Sequence, residues 1–399
     1  VASSDPLDQY LVRHPEFFLG ASPEQARIHP DQLLILMDHV RCAAFELPFT
    51  DGDSFGGEDL GELLGFLEEE GVLQQQGERW YWVADSYPAN AVSLRSVADG
   101  NFVVIDIDQG RQTIIAEVDF SSAPGTLYEG AIYMVQSQPY QVERLDWTGR
   151  KAFVRPTQAD YYTDAIDYTK LKILERFEHH SRRASLAAHG EVHLVRRYSG
   201  YKKIRYYSHD NIGYGPIDLP DQEMHTTSVW WQVDPQRLEA ALPDRERAIE
   251  GFLGAAHALH HVAALRVMAE LGDLGRAVGD GQGHWYAVQS GAGRGQLHGA
   301  DGQPLEASDP ALTRGGEADG AGRFEPTLFL YDNYPGGVGL SEPLFEIAEQ
   351  LVGDALRLVE ACDCAAGCPA CVGPILTGDE VRDPSPKAAA LLVLSLLAN

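Results

Sequence analysis

The chain has 399 residues, enough for two to four domains with cores of their own at ~100–200 residues each, so no covalent staple is needed to hold a fold. With 44% hydrophobic, 9% aromatic and 23% charged residues, it excludes a collagen, a coiled-coil rod and a fully disordered chain. A formal net charge of −28, from 59 acidic and 31 basic residues, excludes a polyanionic partner only if that charge is evenly spread.

The longest apolar stretch, 388–397, falls short of the ~20 residues that cross a bilayer, and the N-terminus has no basic region followed by an apolar run. The chain therefore reads as cytoplasmic. Its start at Val1, inside a polar stretch, reads as a cut within something longer. Over 31–46, Leu33, Leu34, Leu36, Met37, Val40, Ala44 and Leu47 recur at three and four, which predicts an amphipathic helix entered through Pro30-Asp31. Cys42, within that apolar face, reads as a small buried hydrophobe. A second helix over 58–70 stops at Gly71, and 72–75 and 78–83 flank a Gln76-Gly77 turn as a hairpin. Helix, helix and two-stranded wing is the outline of a winged helix, although plain packing gives the same outline; this predicts a first unit over 1–88.

Short β-rich runs follow at 92–95, 102–107, 113–118, 131–136, 141–145 and 151–155, separated by Asp99-Gly100, Gln109-Gly110, Pro124-Gly125 and Thr148-Gly149. They predict a small β-barrel over 89–166. The third unit, 167–399, is predicted to be an α/β domain, which makes the whole an α+β, multidomain protein. It opens with a hairpin of 191–198 and 201–208 around Ser199-Gly200, a strand over 226–233, and a helix over 235–271 broken by Pro243. Residues 279–322 hold 12 glycines and read as a long insertion with one hairpin around 285–289. A strand over 327–331, a Gly-rich turn over 332–340, a helix over 341–361 capped by Ser341, and a last helix capped by Ser385-Pro386 complete the chain.

Four of the five cysteines, Cys362, Cys364, Cys368 and Cys371, fall within ten residues. Cys-x-Cys followed by Cys-x-x-Cys can place four thiolates around one zinc ion, and four sulfurs leave no open vertex, so such a site clamps chain rather than activating water. An iron–sulfur cluster or unmetallated thiols remain alternatives. Between Lys170 and Arg205, ten basic residues (Lys170, Lys172, Arg176, Arg182, Arg183, Arg196, Arg197, Lys202, Lys203 and Arg205) stand against three acidic ones. Tyr198, Tyr201, Tyr206 and Tyr207 are interleaved with them, offering stacking faces beside phosphate-pairing cations, as single-stranded nucleic acid needs; a solvated hairpin is the plain alternative. The turn around Gly336, Gly337 and Gly339 puts backbone N–H groups where a phosphate could sit, though tight packing alone explains glycine there. His257 and His261, four apart with His260 between them, have metal-ligand spacing but no accompanying His-Glu-x-x-His. No Gly-Lys-Ser/Thr occurs, Asp379-Glu380 follows no apolar strand, and there is no G-x-S-x-G elbow, so no catalytic residue is assigned.

These features together resemble the C-terminal half of MrfA/YprA-type DEAD/DEAH-box DNA helicases. The resemblance rests on Pro6-Leu7-Asp8-Gln9-Tyr10, His14-Pro15-Glu16-Phe17-Phe18, residues 34–47, 200–205, 226–231 and 331–341, and the cysteine cluster, in the family's order. The last part resembles the MrfA zinc-binding domain, a domain of unknown function at the helicase C-terminus. The 279–322 stretch looks like an insertion, and Ala269 stands where the family has a Cys. The resemblance implies a piece beginning just after a second RecA-like motor. In the family the motors bind ATP and Mg2+ and pull single-stranded DNA 3′ to 5′, while accessory domains hold single-stranded or forked DNA in repair of mitomycin-type damage. It implies one structural zinc on Cys362, Cys364, Cys368 and Cys371, a motor partner in cis or in trans, and a nucleoid-associated protein. The DNA role of Lys202, Lys203 and Arg205 is inferred from charge. The alternative is a zinc-stabilised interaction scaffold docking on a motor in trans; a metallo-hydrolase using His257, His261 and Asp332 is the third reading.

Overall fold

The computed structural model describes residues 6–20, 32–56, 58–90, 92, 100–208, 210–279, 289–290, 325–373 and 383–399. The helix entry at Pro30-Asp31, all but the first residue of the strand expected over 92–95, Asp99, Asp379-Glu380 and nearly all of the 279–322 insertion lie outside these residues.

Helices Leu33–Glu46 and Gly61–Glu69 pack on strands Leu73–Gln76 and Arg79–Trp82, with Phe49–Thr50 as a third strand. Leu36, Val40, Leu64 and Leu67 lie at helical spacing on the faces that meet and bury a core with Leu73 and Trp80, giving the winged-helix outline expected from the pattern. Gln32 caps the first helix by accepting from the Ile35 N–H at 2.9 Å.

The next sheet has the order Thr113–Asp119, Asn101–Asp106, Lys151–Pro156, Gln138–Asp146, Ile132–Val135. Its path is open, a curled half-barrel where the strand spacing suggested a barrel. Its inner face buries Phe102, Val104, Val142, Ala152 and Val154 and is closed by Tyr198, Tyr201 and Ile217 from the following unit.

The predicted turn at Ser199-Gly200 is corrected. Tyr161–Ser181 and Ser185–Arg205 are two continuous 21-residue strands forming one long hairpin, with its turn at Arg182-Arg183-Ala184. Ser199 is accommodated as a bulge, where the register jumps between Tyr198↔Asp167 and Gly200↔Ile166, so a glycine signal marks a local kink instead of a reversal. On their other edge, residues 200–204 pair with Asn211–Pro216. The sheet continues from the hairpin through Gln222–Val233 and Thr327–Asp332 to Leu274–Gly279. Thr327–Asp332 is buried at every position, as a central strand covered on both faces must be.

One face of this sheet carries Arg245–Val267, Ala348–Glu360 and Pro386–Ala398, which share the largest core with Val229, Trp231, Leu328 and Leu330. Gly251 permits a close helix crossing: a Cβ there would stand 2.7 Å from the Ala389 carbonyl oxygen. The helix expected over 235–271 splits at Pro243 into Pro235–Ala241 and Arg245–Val267 and stops at Met268, whose φ is 56°. The helix expected over 341–361 breaks at Ile347, and Ser341 is not its cap: its hydroxyl is taken by Asp332. Helix Pro6–Arg13 packs on this same core through Tyr10, whose hydroxyl accepts from Arg266 at 3.3 Å. No helix among the described residues is long and apolar enough to cross a membrane.

Candidate zinc centre and nucleic-acid face

The cysteine loop leaves the end of Ala348–Glu360 and folds back against Arg245–Val267 and the last helix. Its four sulfurs lie within 4.8 Å of one another, with Cys362–Cys368 and Cys364–Cys371 at 3.5 Å and Cys368–Cys371 at 3.7 Å. Sulfurs at Zn–S ≈ 2.3 Å on a tetrahedron are roughly 3.8 Å apart, so the donor set fits zinc closely. Burial pushes the Cys371 thiol well up, and it does so for Cys364 too. At Cys362, burial is outweighed by the Cys364 backbone N–H and the neighbouring thiols, which bring it down to about 7. Four thiolates this close cannot coexist without a cation among them, and a zinc ion would supply that charge.

Two side chains hold the loop from outside. Lys387 Nζ donates to the Cys362 and Cys364 carbonyls at 2.5 and 3.0 Å, and His257 Nε2–H donates to the Pro369 carbonyl at 2.9 Å. Sequence reasoning missed Lys387; the signal was its isolation, since five of the six lysines fall between Lys151 and Lys203. His257, His260 and His261 do not converge on a metal. His260 Nε2–H donates to Leu274 O at 2.9 Å while its Nδ1 accepts from Arg276, and His261 Nδ1–H donates to His257 O at 2.8 Å. Burial, then Arg276 and His261, drive the His257 pKa down to about 2, and burial and Arg276 drive His260 to about 3. His260 and His261 are committed to backbone carbonyls and Arg276, and Asp332 to Ser341, so among the described residues His257, His261 and Asp332 form no converging ligand set for a metallo-hydrolase.

The basic segment divides between two faces of the hairpin. On the solvent side, Lys170 and Lys172 lie opposite Val195 and His193, with Arg197 opposite Tyr168. Neither lysine forms an ion pair among the described residues, whereas Arg197 is held bidentate by Asp221 at 2.7 Å on both oxygens. Glu191 and Glu223 pair with His225 and His193 on the same face. On the inner side, Arg196 is sunk among Thr169, Asp167, Tyr331 and Asn333, donating at 2.9 Å to the last two. It is a cross-strand brace, and phosphate cannot reach it in this conformation. Lys202 is buried opposite Asp164, and burial lowers its pKa. Tyr201 is buried too, its ring 4.9 Å from Tyr128 and its space provided by Gly215, where a Cβ would stand 2.3 Å from the ring. Tyr198 is likewise interior, which corrects the expectation that Tyr198 and Tyr201 present stacking faces; Tyr207, 99% exposed, still does. Lys203 lies 5.5 Å over the Tyr161 ring, and Arg205 is 3.7 Å from Asp160. At the tip, Arg182 meets Glu349 and the Ala398 carbonyl, and the Arg183 N–H donates to Asn399 O at 3.1 Å, leaving the Arg183 side chain exposed.

The Gly-rich turn already holds an anion of its own. Asp332 Oδ2 accepts from the Val338 and Leu340 N–H groups at 2.8 and 3.1 Å, and Oδ1 accepts from Ser341. The Gly336 and Gly337 N–H groups donate to His225 and Tyr334 carbonyls. Both glycines have φ of 76° and Gly339 has 83°, the left-handed conformation that folds the turn around the carboxylate.

Comparison with known proteins adds six findings. Residues 255–372 match the MrfA Zn-binding domain family, and 28–97 match the winged helix domain of the ATP-dependent helicase HRQ1. The chain is 36% identical over 385 residues to the ATP-dependent helicase YprA of Bacillus subtilis, covering 96% of this chain and 46% of that one. It is 27% identical to the ATP-dependent helicase HRQ1 of Saccharomyces cerevisiae, covering 93% of this chain and 32% of that one. Among solved structures, the DUF1998 helicase MrfA bound to DNA superposes with a TM-score of 0.52 at 34% identity, over 99% of this chain and 47% of that one, and MrfA alone gives 0.56 at 31%, over 94% and 47%. The chain therefore spans about a third to a half of the length of these relatives.

Proposed function

From the homology of this chain, over nearly its whole length, to the C-terminal accessory region of MrfA-type helicases, we propose that it is the DNA-binding accessory part of an ATP-dependent superfamily 2 DNA helicase. The activity proposed for the whole protein is 3′-to-5′ unwinding in DNA repair. ATP and Mg2+ belong to RecA-like motor domains outside these 399 residues, because the chain carries no P-loop. The observation that carries the reading is the fit of 99% of the chain, at 34% identity, onto a helicase whose structure is of a DNA complex.

The units proposed are a winged-helix-like domain (1–88), a half-barrel (89–166) and a zinc-binding α/β domain (167–399), working in the cytoplasm on nucleoid DNA. One zinc ion on Cys362, Cys364, Cys368 and Cys371 fastens the loop that joins the two last helices and has no catalytic role. Single-stranded or forked DNA meets the hairpin's solvent side, where Lys170, Lys172, Arg176, Arg183, Arg197, Lys203 and Arg205 pair with phosphates and Tyr207 stacks on a base. Arg196, Tyr201 and Lys202 serve from the interior, holding the strands that carry those cations.

A specific observation favours a protein partner for the winged helix. Residues 32–90 contain twelve acidic and two basic residues, and the helix Gly61–Glu69 that would enter a major groove carries Glu62, Glu68 and Glu69. Such a surface repels phosphate and suits a motor domain, in cis or in trans.

Fluorescence anisotropy with labelled single-stranded DNA at 50 and 200 mM salt tests the DNA reading. Binding that weakens steeply with salt and falls at least about tenfold in Lys170→Glu/Lys172→Glu is expected. Absence of binding at low salt, or indifference to that double substitution, would sink it. Strand displacement by the complete protein on 3′- and 5′-tailed duplexes tests the direction.

A further inference from the structure

Outside the 170–205 segment, the half-barrel carries a concave site of about 420 Å3 on its outer face, within the ~300–1,000 Å3 of small-ligand sites. Along strand Lys151–Pro156, Ala152 and Val154 point into the core, so Phe153 and Arg155 point the other way, away from the face closed by Tyr198 and Tyr201. Arg144, cross-strand from Phe153, lays its guanidinium 4.0 Å over the Phe153 ring. Arg111 and Gln112 enter from the connection before Thr113–Asp119, and Glu143 completes the wall. Three guanidinium groups thus face one carboxylate in a chain whose net charge is −28.

Neither Arg111 nor Arg144 has a side-chain hydrogen bond or ion pair among the described residues. Arg155 pairs with Glu143 at 2.8 Å, but both groups are about half exposed, and such a pair is weak enough to exchange for a phosphate. The Phe153–Arg144 stack offers a planar cation as its outermost layer, a surface on which nucleobases stack, and Arg111 and Arg155 flank it with the forked donors that match phosphate oxygens. Stacking plane and phosphate fork side by side are the two halves of one nucleotide.

We infer that the Arg111–Arg144–Phe153–Arg155 cleft is a nucleotide site, taking one base and its phosphate from a single strand that runs over the outside of the half-barrel. The source of the nucleotide rests on the DNA reading above; the nucleotide chemistry does not. The site is separate from the hairpin, so the two contribute independently to binding.

The test uses the full chain and six proteins: wild type, Arg111→Glu, Arg144→Ala, Lys170→Glu/Lys172→Glu, and that double variant combined with each single substitution. Each is checked for an unchanged urea midpoint, then measured by anisotropy with labelled oligothymidylate and by calorimetry with thymidine 5′-monophosphate. Arg111→Glu is expected to weaken oligothymidylate at least about fivefold and to reduce the salt slope by about 0.7. Arg144→Ala is expected to weaken it at least about fivefold through lost stacking. Both effects should persist in the Lys170→Glu/Lys172→Glu background. Unchanged oligothymidylate binding in Arg111→Glu and Arg144→Ala, with no monophosphate heat, overturns this site while leaving the hairpin reading intact. Monophosphate heat lost in Arg111→Glu, with no oligothymidylate binding by wild type, keeps the nucleotide site and removes the DNA reading. Wild type that binds neither removes both.

Discussion

Lys387 stands alone in sequence, yet its ammonium reaches the carbonyls of two cysteines, Cys362 and Cys364. A zinc ion with four thiolates carries a net charge of −2, so the ammonium offsets charge as well as fixing the loop. Lys387→Met keeps the aliphatic stem and removes both effects, and outer partners of this kind are worth about 10–100-fold in metal affinity. Zinc transfer to a chromogenic chelator should therefore proceed at least about tenfold more readily from Lys387→Met than from wild type, and equal transfer would rule the anchor out. His260 gives a pH prediction. Its pKa of about 3 lies below the 6.5 of an open chain, so the unfolded protein takes up a proton first. Its stabilising share is complete above pH 6.5 and is lost as pH falls toward 3, at up to about 1.4 kcal/mol per pH unit. Between pH 7 and 5.5, urea stability should fall by about 1 kcal/mol more in wild type than in His260→Gln; parallel losses would contradict this. The cysteines were legible because all four ligands are local in sequence. Arg196 was not, because its burial is set by Tyr331 and Asn333, 135 and 137 positions away.

The long hairpin shows why elements were harder to read than residues. Alternation over 161–181 and 185–205 is shifted by bulges at three places, and each shift exchanges inward and outward positions. Tyr201 and Lys202, neighbours beyond the Ser199 bulge, point to opposite faces and are both buried, Tyr201 in the half-barrel core and Lys202 opposite Asp164, although the sequence pattern offers them to solvent. The winged helix was legible because helical periodicity and its glycine stops are local. The Gly-rich turn is read from sequence at the right place with a different occupant, since Asp332 reads as the first residue of the turn when its carboxylate is the centre of the loop. Asp332→Ala would orphan the Val338 and Leu340 N–H groups and the Ser341 hydroxyl, at about 1–3 kcal/mol for each buried group left unpaired. Urea unfolding should show a loss of at least about 3 kcal/mol. If the turn were a phosphate site occluded by its own aspartate, the folded fraction of this variant would gain DNA affinity; an unchanged dissociation constant is expected.

At the scale of the whole molecule, net charge misleads until it is placed. The 170–205 segment has ten basic and three acidic residues, while the rest of the chain has 21 basic and 56 acidic, so a polyanion is repelled almost everywhere except along the hairpin and the half-barrel cleft. Holding that hairpin in place falls to the far end of the sequence. Arg182, Arg183 and Ser185 at its tip bond the carbonyls of Ala398, Asn399 and Leu397, the last turn of a helix whose first turn carries Lys387 and the zinc loop. Cysteine loop, helix Pro386–Ala398 and hairpin tip thus form one mechanical series that no sequence pattern announces, because its links to the hairpin join residues more than 200 positions apart. Structural zinc contributes about 10–16 kcal/mol of folding free energy in small domains, so stripping it should loosen the helix at Lys387 and pass the loosening to the hairpin. Hydrogen exchange before and after chelation should show lost protection over 386–398 and 182–188, unchanged protection over 33–82, and a parallel loss of DNA affinity that zinc restores. Loss confined to the cysteine loop, with DNA affinity intact, would mean that the centre holds only its own loop and that the hairpin keeps its shape through Arg196 and the sheet alone.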